Sequence, residues 1–181
     1  LKKGNLLFPN NLSQQAVHPV AELRSKWYLN NELFNQNEQM AIRLLPSFEY
    51  DNFTAMEINY FQSTNWVVSP KSNRMGLRLI TDKPKHFNHQ NLYSSTVLPG
   101  TVQITPNGPI ILMQDAHTAG GYPRIGQVIE VDLPSLAQKR PNQKLEFHFV
   151  SIEEALQLKL QQKQQLKQIE QAIKWKQTEA F

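Results

Sequence analysis

Residues 113–126, "MQDAHTAGGYPRIG", gather an acid, an imidazole, paired glycines, a phenol and a guanidinium within one short segment. Asp115 and His117 are the types that carry protons in general acid–base chemistry. Along an extended chain they would share one side, with Ala116 on the other. Gly120 and Gly121 permit positive φ or a close approach of backbone to a ligand. Successive amides in such a turn form a small anion-binding nest. Tyr122 adds a ring and a hydroxyl, and Arg124 a planar donor fork. From the residues alone a plainer account stands beside this one. Turns use Gly and Asp for local reasons, so Asp115 could cap the next amides while Tyr122 packs in the core.

A second segment, "SPKSNRMGLRL" (69–79), supplies Ser72, Asn73, Arg74 and Arg78. Two arginines entering a strand can hold a carboxylate or phosphate. A surface ion pair for one, and a structural role for Arg78, is the alternative. Gln103, on "TVQIT", is expected to turn its amide to a polar face. His86 and His89 have the spacing of a metal pair on a helix, but "KPKHFNHQN" is a polar loop without a carboxylate. A metal site needs a third ligand and supporting contacts, so none is expected. His148, between Phe147 and Phe149, suits the rim of a strand. The phosphate-cradling Gly-x-x-x-x-Gly-Lys-Ser/Thr loop, the Gly-x-Gly-x-x-Gly dinucleotide turn and the Gly-x-Ser-x-Gly elbow are all absent.

These residues need elements to hold them. Short runs rich in branched and aromatic residues recur: "AIRLL" (41–45), "TNWVVS" (64–69), "MGLRLI" (75–80), "GTVQIT" (100–105), "PIILM" (109–113), "QVIEVDL" (127–133) and "KLEFHFV" (144–150). In "TVQIT" and "KLEFHFV" apolar and polar residues alternate, the period of a half-buried strand. The segments between them break or turn a chain; the Asn-Gly of "TPNG" predicts a hairpin joining "TVQIT" to "PIILM". Many short strands at this spacing predict a mainly β protein, a barrel or sandwich. "DNFTAMEINYFQ" (51–62) is ambiguous, and "LPSLAQKR" (133–140) predicts one or two helical turns starting near Pro134. Residues 1–40 are polar and weakly patterned, and are expected to be an irregular lead-in or linker. From Ser151 a capping box, Ser-x-x-Glu154, opens a long helix over 151–181 ending near Trp175. Its stripe of Ile152, Leu156, Leu160, Leu166, Ile169 and Ile173 is expected to pack on its own domain.

Composition sets outer limits. At 181 residues the chain can bury a real core. Its net charge of +4 is scattered, with no aromatic residues interleaving a basic cluster, which argues against nucleic acid. The absence of cysteine excludes disulfides and a thiol nucleophile, and fits a cytoplasmic setting. No apolar run approaches the roughly 20 residues of a membrane helix.

Taken in order, "SPKSNRMGLRL" and "GTVQITPNGPIILMQDAHTAGGYPRIGQVIEVDLPSLAQKRPNQKLEF" resemble the biotin-dependent carboxyltransferase family, also called allophanate hydrolase subunit 2-like. The family pattern runs Ser-Asp/Asn-Arg-Met-Gly-x-Arg-Leu, then Gly-x-Ile/Val-Gln-Val-Pro-x-Gly-x-Pro-Ile, then Asp-x-Gln-Thr-x-Gly-Gly-Tyr-Pro-Lys/Arg-Ile. The likeness covers roughly residues 41–155. His117 stands where the family has Gln, Ala119 where it often has Thr, and Asn142 where it has the Gly of a Pro-Gly turn. One residue is missing between Gly108 and Pro109. Members usually carry a comparable front portion, so the chain is expected to be the C-terminal half of one.

The resemblance implies a cyclophilin-like β-barrel over 41–150 followed by the C-terminal helix. Its members include the 5-oxoprolinase C-subunit and the carboxyltransferase part of urea carboxylase. The first implies ATP-dependent opening of the 5-oxoproline lactam to glutamate, together with partner subunits A and B. ATP would be held at, or shared with, a partner subunit. Asp115 and His117 would then be catalytic. Asn73, Arg74, Arg78, Gln103, Gly120, Gly121, Tyr122 and Arg124 would bind the small-molecule substrate and its anionic groups. The second implies carboxyl transfer from biotin. A third possibility is a non-catalytic module that docks on a kinase inhibitor protein.

Overall fold

The structure is a computed structural model, and describes residues 41–84, 87 and 92–179. Among the described residues, ten strands and three helices run in the order β1 (Ile42–Pro46), α1 (Ala55–Ser63), β2 (Trp66–Val68), β3 (Gly76–Ile80), β4 (Ser95–Thr96), β5 (Thr101–Thr105), β6 (Gly108–Leu112), β7 (Ala119–Gly120), β8 (Arg124–Val128), α2 (Leu133–Ala137), β9 (Lys144–Leu145), β10 (Phe147–Phe149) and α3 (Ile152–Glu179). Eight of the strands form one sheet in the order β10-β1-β8-β5-β6-β3-β2-β9. The expected mainly β architecture is present. The two edge strands, β9 and β10, are separated by Glu146 alone. One short segment therefore serves both ends of the sheet and rolls it into a nearly closed barrel. On one side Leu145 pairs with Trp66; on the other Phe147 pairs in parallel with Ile42. The carbonyl of Glu146 accepts the Ile42 amide at 2.8 Å, so no gap opens at the step. Near-closure leaves only these two short edge strands where a flat sheet would leave longer ones.

The core fills from both sides of this seam. Phe147 is fully buried and stacks on Phe61 of α1, with ring centroids 4.9 Å apart. Trp66 donates its indole N–H to the Phe61 carbonyl at 2.8 Å, which satisfies the one polar atom of a buried side chain. The ambiguous segment 51–62 thus resolves as helix α1. Thr54 caps it, taking the Glu57 amide while the Glu57 carboxylate reaches back to the Thr54 amide. Phe61 is the residue it buries most completely.

Three expectations are corrected here. β5 is not half-buried: Thr101, Val102, Gln103 and Ile104 all lie inside, because the strand sits mid-sheet with its polar groups bonded to neighbours. "QVIEVDL" is a strand only at its start. The strand is Arg124–Val128, and Glu130–Asp132 forms a 3-10 turn. That turn exists because fully buried Asp132 binds Arg43: its Oδ2 accepts the Arg43 amide at 2.8 Å and Nε at 3.0 Å. "KLEFHFV" breaks into two strands at Glu146 for the reason given above. The Asn-Gly hairpin forms as expected, with Thr105 opposite Gly108 at φ 107°. Asn142, in place of the family glycine, adopts φ 69°, a left-handed conformation that Asn tolerates best after Gly.

Helix α3 also departs from expectation. Ser151 caps it, accepting the Glu154 amide at 3.2 Å, and it continues past Trp175 to Glu179. Four residues of its predicted stripe, Ile152, Leu156, Leu160 and Leu166, are about half exposed or more, from 49% to 62%, while Ile169 and Ile173 are half-buried. In its first three turns the half-buried positions are Ala155, Leu158 and Gln162 instead, and Lys159 pairs with Glu130. The lead-in expected over residues 1–40, and His86 and His89, lie outside the described residues.

Phe147→Ala should cost about 3–5 kcal/mol, the range for truncating a buried Phe. Urea unfolding checks this, and a loss below about 1 kcal/mol would mean the seam does not hold the barrel.

Candidate functional site

The two segments singled out by residue type meet in space. Arg74 Nε lies 3.3 Å from Asp115 Oδ2, and the Arg74 carbonyl accepts the Asp115 amide at 3.3 Å. Each is placed by its own turn. Asn73 Oδ1 accepts the Met75 amide at 2.9 Å and the Gly76 amide at 3.3 Å, so Asn73 shapes the loop that presents Arg74. Asp115 sits in a turn closed by the Ala116 amide on the Met113 carbonyl at 3.1 Å. The chain there is folded, not extended, which corrects the expectation that Asp115 and His117 share one side of a strand.

Arg74 and Asp115 line a cavity of about 430 Å³ with Ser72, Asn73, Gln114 and Lys139, over an apolar floor that includes Val68, Leu77 and Met113. That size suits a small ligand, and a few polar groups over apolar walls are the usual makeup of such sites. Arg74 is 92% exposed and Asp115 49%, so both are open to a ligand. Lys139, from the turn after α2, was missed in the sequence. "LAQKR" carries no signal of its own, and only the fold brings it to this cavity. His117 is exposed and lies outside the cavity lining. Among the described residues no cluster of metal-ligating side chains occurs, and no helix is long and apolar enough to cross a membrane.

The remaining residues of the glycine segment do different work. Arg124 is not free to hold a substrate anion. Its Nε donates to Glu49 Oε2 at 2.6 Å, its Nη2 to Glu49 Oε1, and its Nη1 to the Thr96 carbonyl at 3.0 Å. Glu49 is 6% exposed, and the whole pair is held against the barrel. Gln103 is buried rather than on a polar face, and donates to the Tyr122 carbonyl at 3.2 Å. Gly120 and Gly121 do not take positive φ; among the described residues only Gly100, Gly108 and Asn142 do. Their use is close approach within the chain. A Cβ on Gly120 would stand 2.5 Å from Gln103 Nε2, and one on Gly121 2.8 Å from the Leu92 carbonyl. The expected anion nest is therefore replaced by tight packing of β7 beside β4 and Gln103. Tyr122 is 37% exposed rather than packed in the core. Arg78 faces a different cavity from Arg74, so the two arginines do not converge on one anion.

A family model described as carboxyltransferase domain, subdomain A and B, matches residues 1–149. The chain belongs to this carboxyltransferase family. The 5-oxoprolinase C-subunit of Escherichia coli is 43% identical over 129 residues, covering 71% of this chain and 42% of that protein. The protein of the same name from Haemophilus influenzae is 38% identical over 134 residues, 74% of this chain and 43% of that one. The carboxyltransferase chain thus spans less than half the length of these curated relatives. The crystal structure of the K. lactis urea amidolyase matches with a TM-score of 0.64 at 26% identity, over 72% of this chain and 8% of that one. The family match takes in residues 1–40, which patterning alone left as lead-in, and stops just before α3.

The buried pair predicts a pH dependence. Its hydrogen bonds to Arg124 hold the Glu49 carboxyl below its ordinary value. The unfolded chain therefore binds the proton first as pH falls. The pair's contribution is fully present above the ordinary Glu value of about 4.3 and is lost as pH drops through the lower folded value. Glu49→Ala should cost about 3 kcal/mol at neutral pH, the low end for stripping one partner from a buried pair. Denaturation at stepped pH should show the acid loss in the parent and a flatter profile in the variant.

Proposed function

We propose that this carboxyltransferase chain provides part of a 5-oxoprolinase C-subunit, which acts with subunits A and B to open 5-oxoproline to glutamate using ATP and water. The observation that carries this reading is the 43% identity to the Escherichia coli protein over 71% of the chain. The apposed Arg74 and Asp115 give that reading a place for chemistry. In the net reaction the lactam C–N bond breaks, one water supplies the new carboxylate oxygen, and a second is consumed as ATP becomes ADP and phosphate. ATP is assigned to a partner subunit or to a site shared with one.

Within this chain, Arg74 and Lys139 supply cationic donors for the substrate carboxylate or the carbonyl oxygen as it gains charge. Asp115, open to solvent, orients or deprotonates the attacking water. His117, two residues on and exposed, can exchange protons with bulk water at the rim of the same turn. Carboxyl transfer from biotin is a second reading, favoured by the likeness to urea amidolyase. There the same donors would steady the ureido oxygen.

The test is ATP-dependent glutamate release from 5-oxoproline by the complete three-subunit assembly. Asp115→Asn should lower kcat by about 10²–10⁴-fold, the usual range for a positioned acid or base, while the subunits still co-purify. Full activity in that variant would remove Asp115 from the chemistry. An inactive parent assembly that instead transfers carboxyl from carboxybiotin would favour the second reading.

A further inference from the structure

A second cavity, of about 630 Å³, lies on the barrel wall formed by β3 and the β5–β6 hairpin. Its lining includes Ser69, Lys71, Arg78, Thr105 and Asn107 over Leu79, and it contains no residue of the Arg74–Asp115 cavity. The lining holds two cations and no carboxylate. Among the described residues neither Lys71 nor Arg78 forms an ion pair. Two unpaired cations lining one concavity repel each other, and an anion between them removes that cost.

The polar backing is already built. Ser69 is only 5% exposed, and its Oγ accepts the Lys71 amide at 3.2 Å, which fixes the start of the Lys71 side chain. That leaves the Ser69 hydroxyl proton to donate. The Arg78 backbone is pinned on both faces: its amide donates to Ser72 Oγ at 3.0 Å and its carbonyl accepts the Ser69 amide at 2.8 Å. Across the cavity, Thr105 Oγ1 accepts the Asn107 amide at 3.2 Å and donates to the Gly108 carbonyl at 2.7 Å, which holds the hairpin tip rigid. Leu79 and Pro109 are buried and form an apolar base. Cations rising from a fixed backbone over an apolar base favour a small anion over bulk water.

We propose that Lys71, Arg78 and the Ser69 hydroxyl form a binding site for a small oxyanion, phosphate or carboxylate, separate from the Arg74–Asp115 site. Arg78 contributes its fork and Lys71 a point charge. The site needs nothing from the reaction assigned above, and stands or fails independently of it.

The full chain, titrated with inorganic phosphate and separately with acetate at low salt, tests this by amide chemical shifts. Saturable shifts are expected at Ser69, Lys71, Thr105, Asn107 and Gly108. Lys71→Gln with Arg78→Gln should weaken binding at least about tenfold, as loss of two charge-assisted contacts requires. Lys71→Gln alone, at an exposed side chain, should weaken it in the same direction with the amide spectrum otherwise kept. Arg74→Gln should leave it unchanged. Saturation by phosphate alone, or by acetate alone, assigns the oxyanion class. The proposal is overturned if neither probe saturates, or if the shifts centre on Asn73, Arg74 and Asp115 and vanish in Arg74→Gln.

Discussion

The structure depends on one half-buried guanidinium. Arg124 binds both carboxylate oxygens of Glu49, in the turn after β1, and the carbonyl of Thr96, on β4. A third tie comes from Ser47, whose hydroxyl donates to the Arg124 carbonyl at 2.8 Å. Two segments distant in sequence, the turn after β1 and β4, are thus held at one point of β8. The carboxylate of Glu49 is nearly buried, and a charge at such depth is tolerated when paired and hydrogen-bonded. The consequence reaches the candidate site. β4 pairs with β7 through Thr96 and Ala119, and β7 is the far end of the loop that carries Asp115. Fixing Thr96 therefore limits where that loop can go.

The near end of the loop is fixed independently. Asn73 folds the chain so that Arg74 faces Asp115, and the Met113 amide donates to the Met75 carbonyl at 3.0 Å. The loop is anchored at both ends while its acid stays open to solvent. That combination, rigid supports with exposed chemical groups, is what a binding or catalytic site requires. The family's glycine-tyrosine-proline segment then serves mainly as framework. Gly120 lets Gln103 come close, Gln103 holds the Tyr122 carbonyl, and Arg124 locks the strand that follows.

Much of the fold was legible because alternation and turn residues report local backbone shape. The hairpin at Asn107–Gly108 and the cap at Ser151 follow from residue chemistry within a few positions. What was not legible depends on partners far along the chain. Arg124 offers the same fork to a ligand as to Glu49, and nothing in "GGYPRIG" names Glu49, 75 residues away. Gln103 reads as surface polar by alternation, and is buried because β5 has neighbours on both sides. Arg74 and Arg78 are four apart but serve different cavities, because Arg74 sits on the Asn73 turn beside the first and Arg78 lines the second, while its β3 neighbour Leu77 floors the first. The helix stripe over 152–173 is a correct period attached to a wrong expectation: periodicity shows an apolar face, not what covers it.

The most direct test is a double-mutant cycle on stability with Glu49→Leu and Arg124→Met. If the pair is the framework's anchor, each single variant strands a charge and the double variant recovers part of the loss. The coupling should be about 1.5–3 kcal/mol, the range expected of a buried charge pair in contact. Additive effects near zero would contradict the account, and would return Arg124 to the list of groups free to meet a substrate.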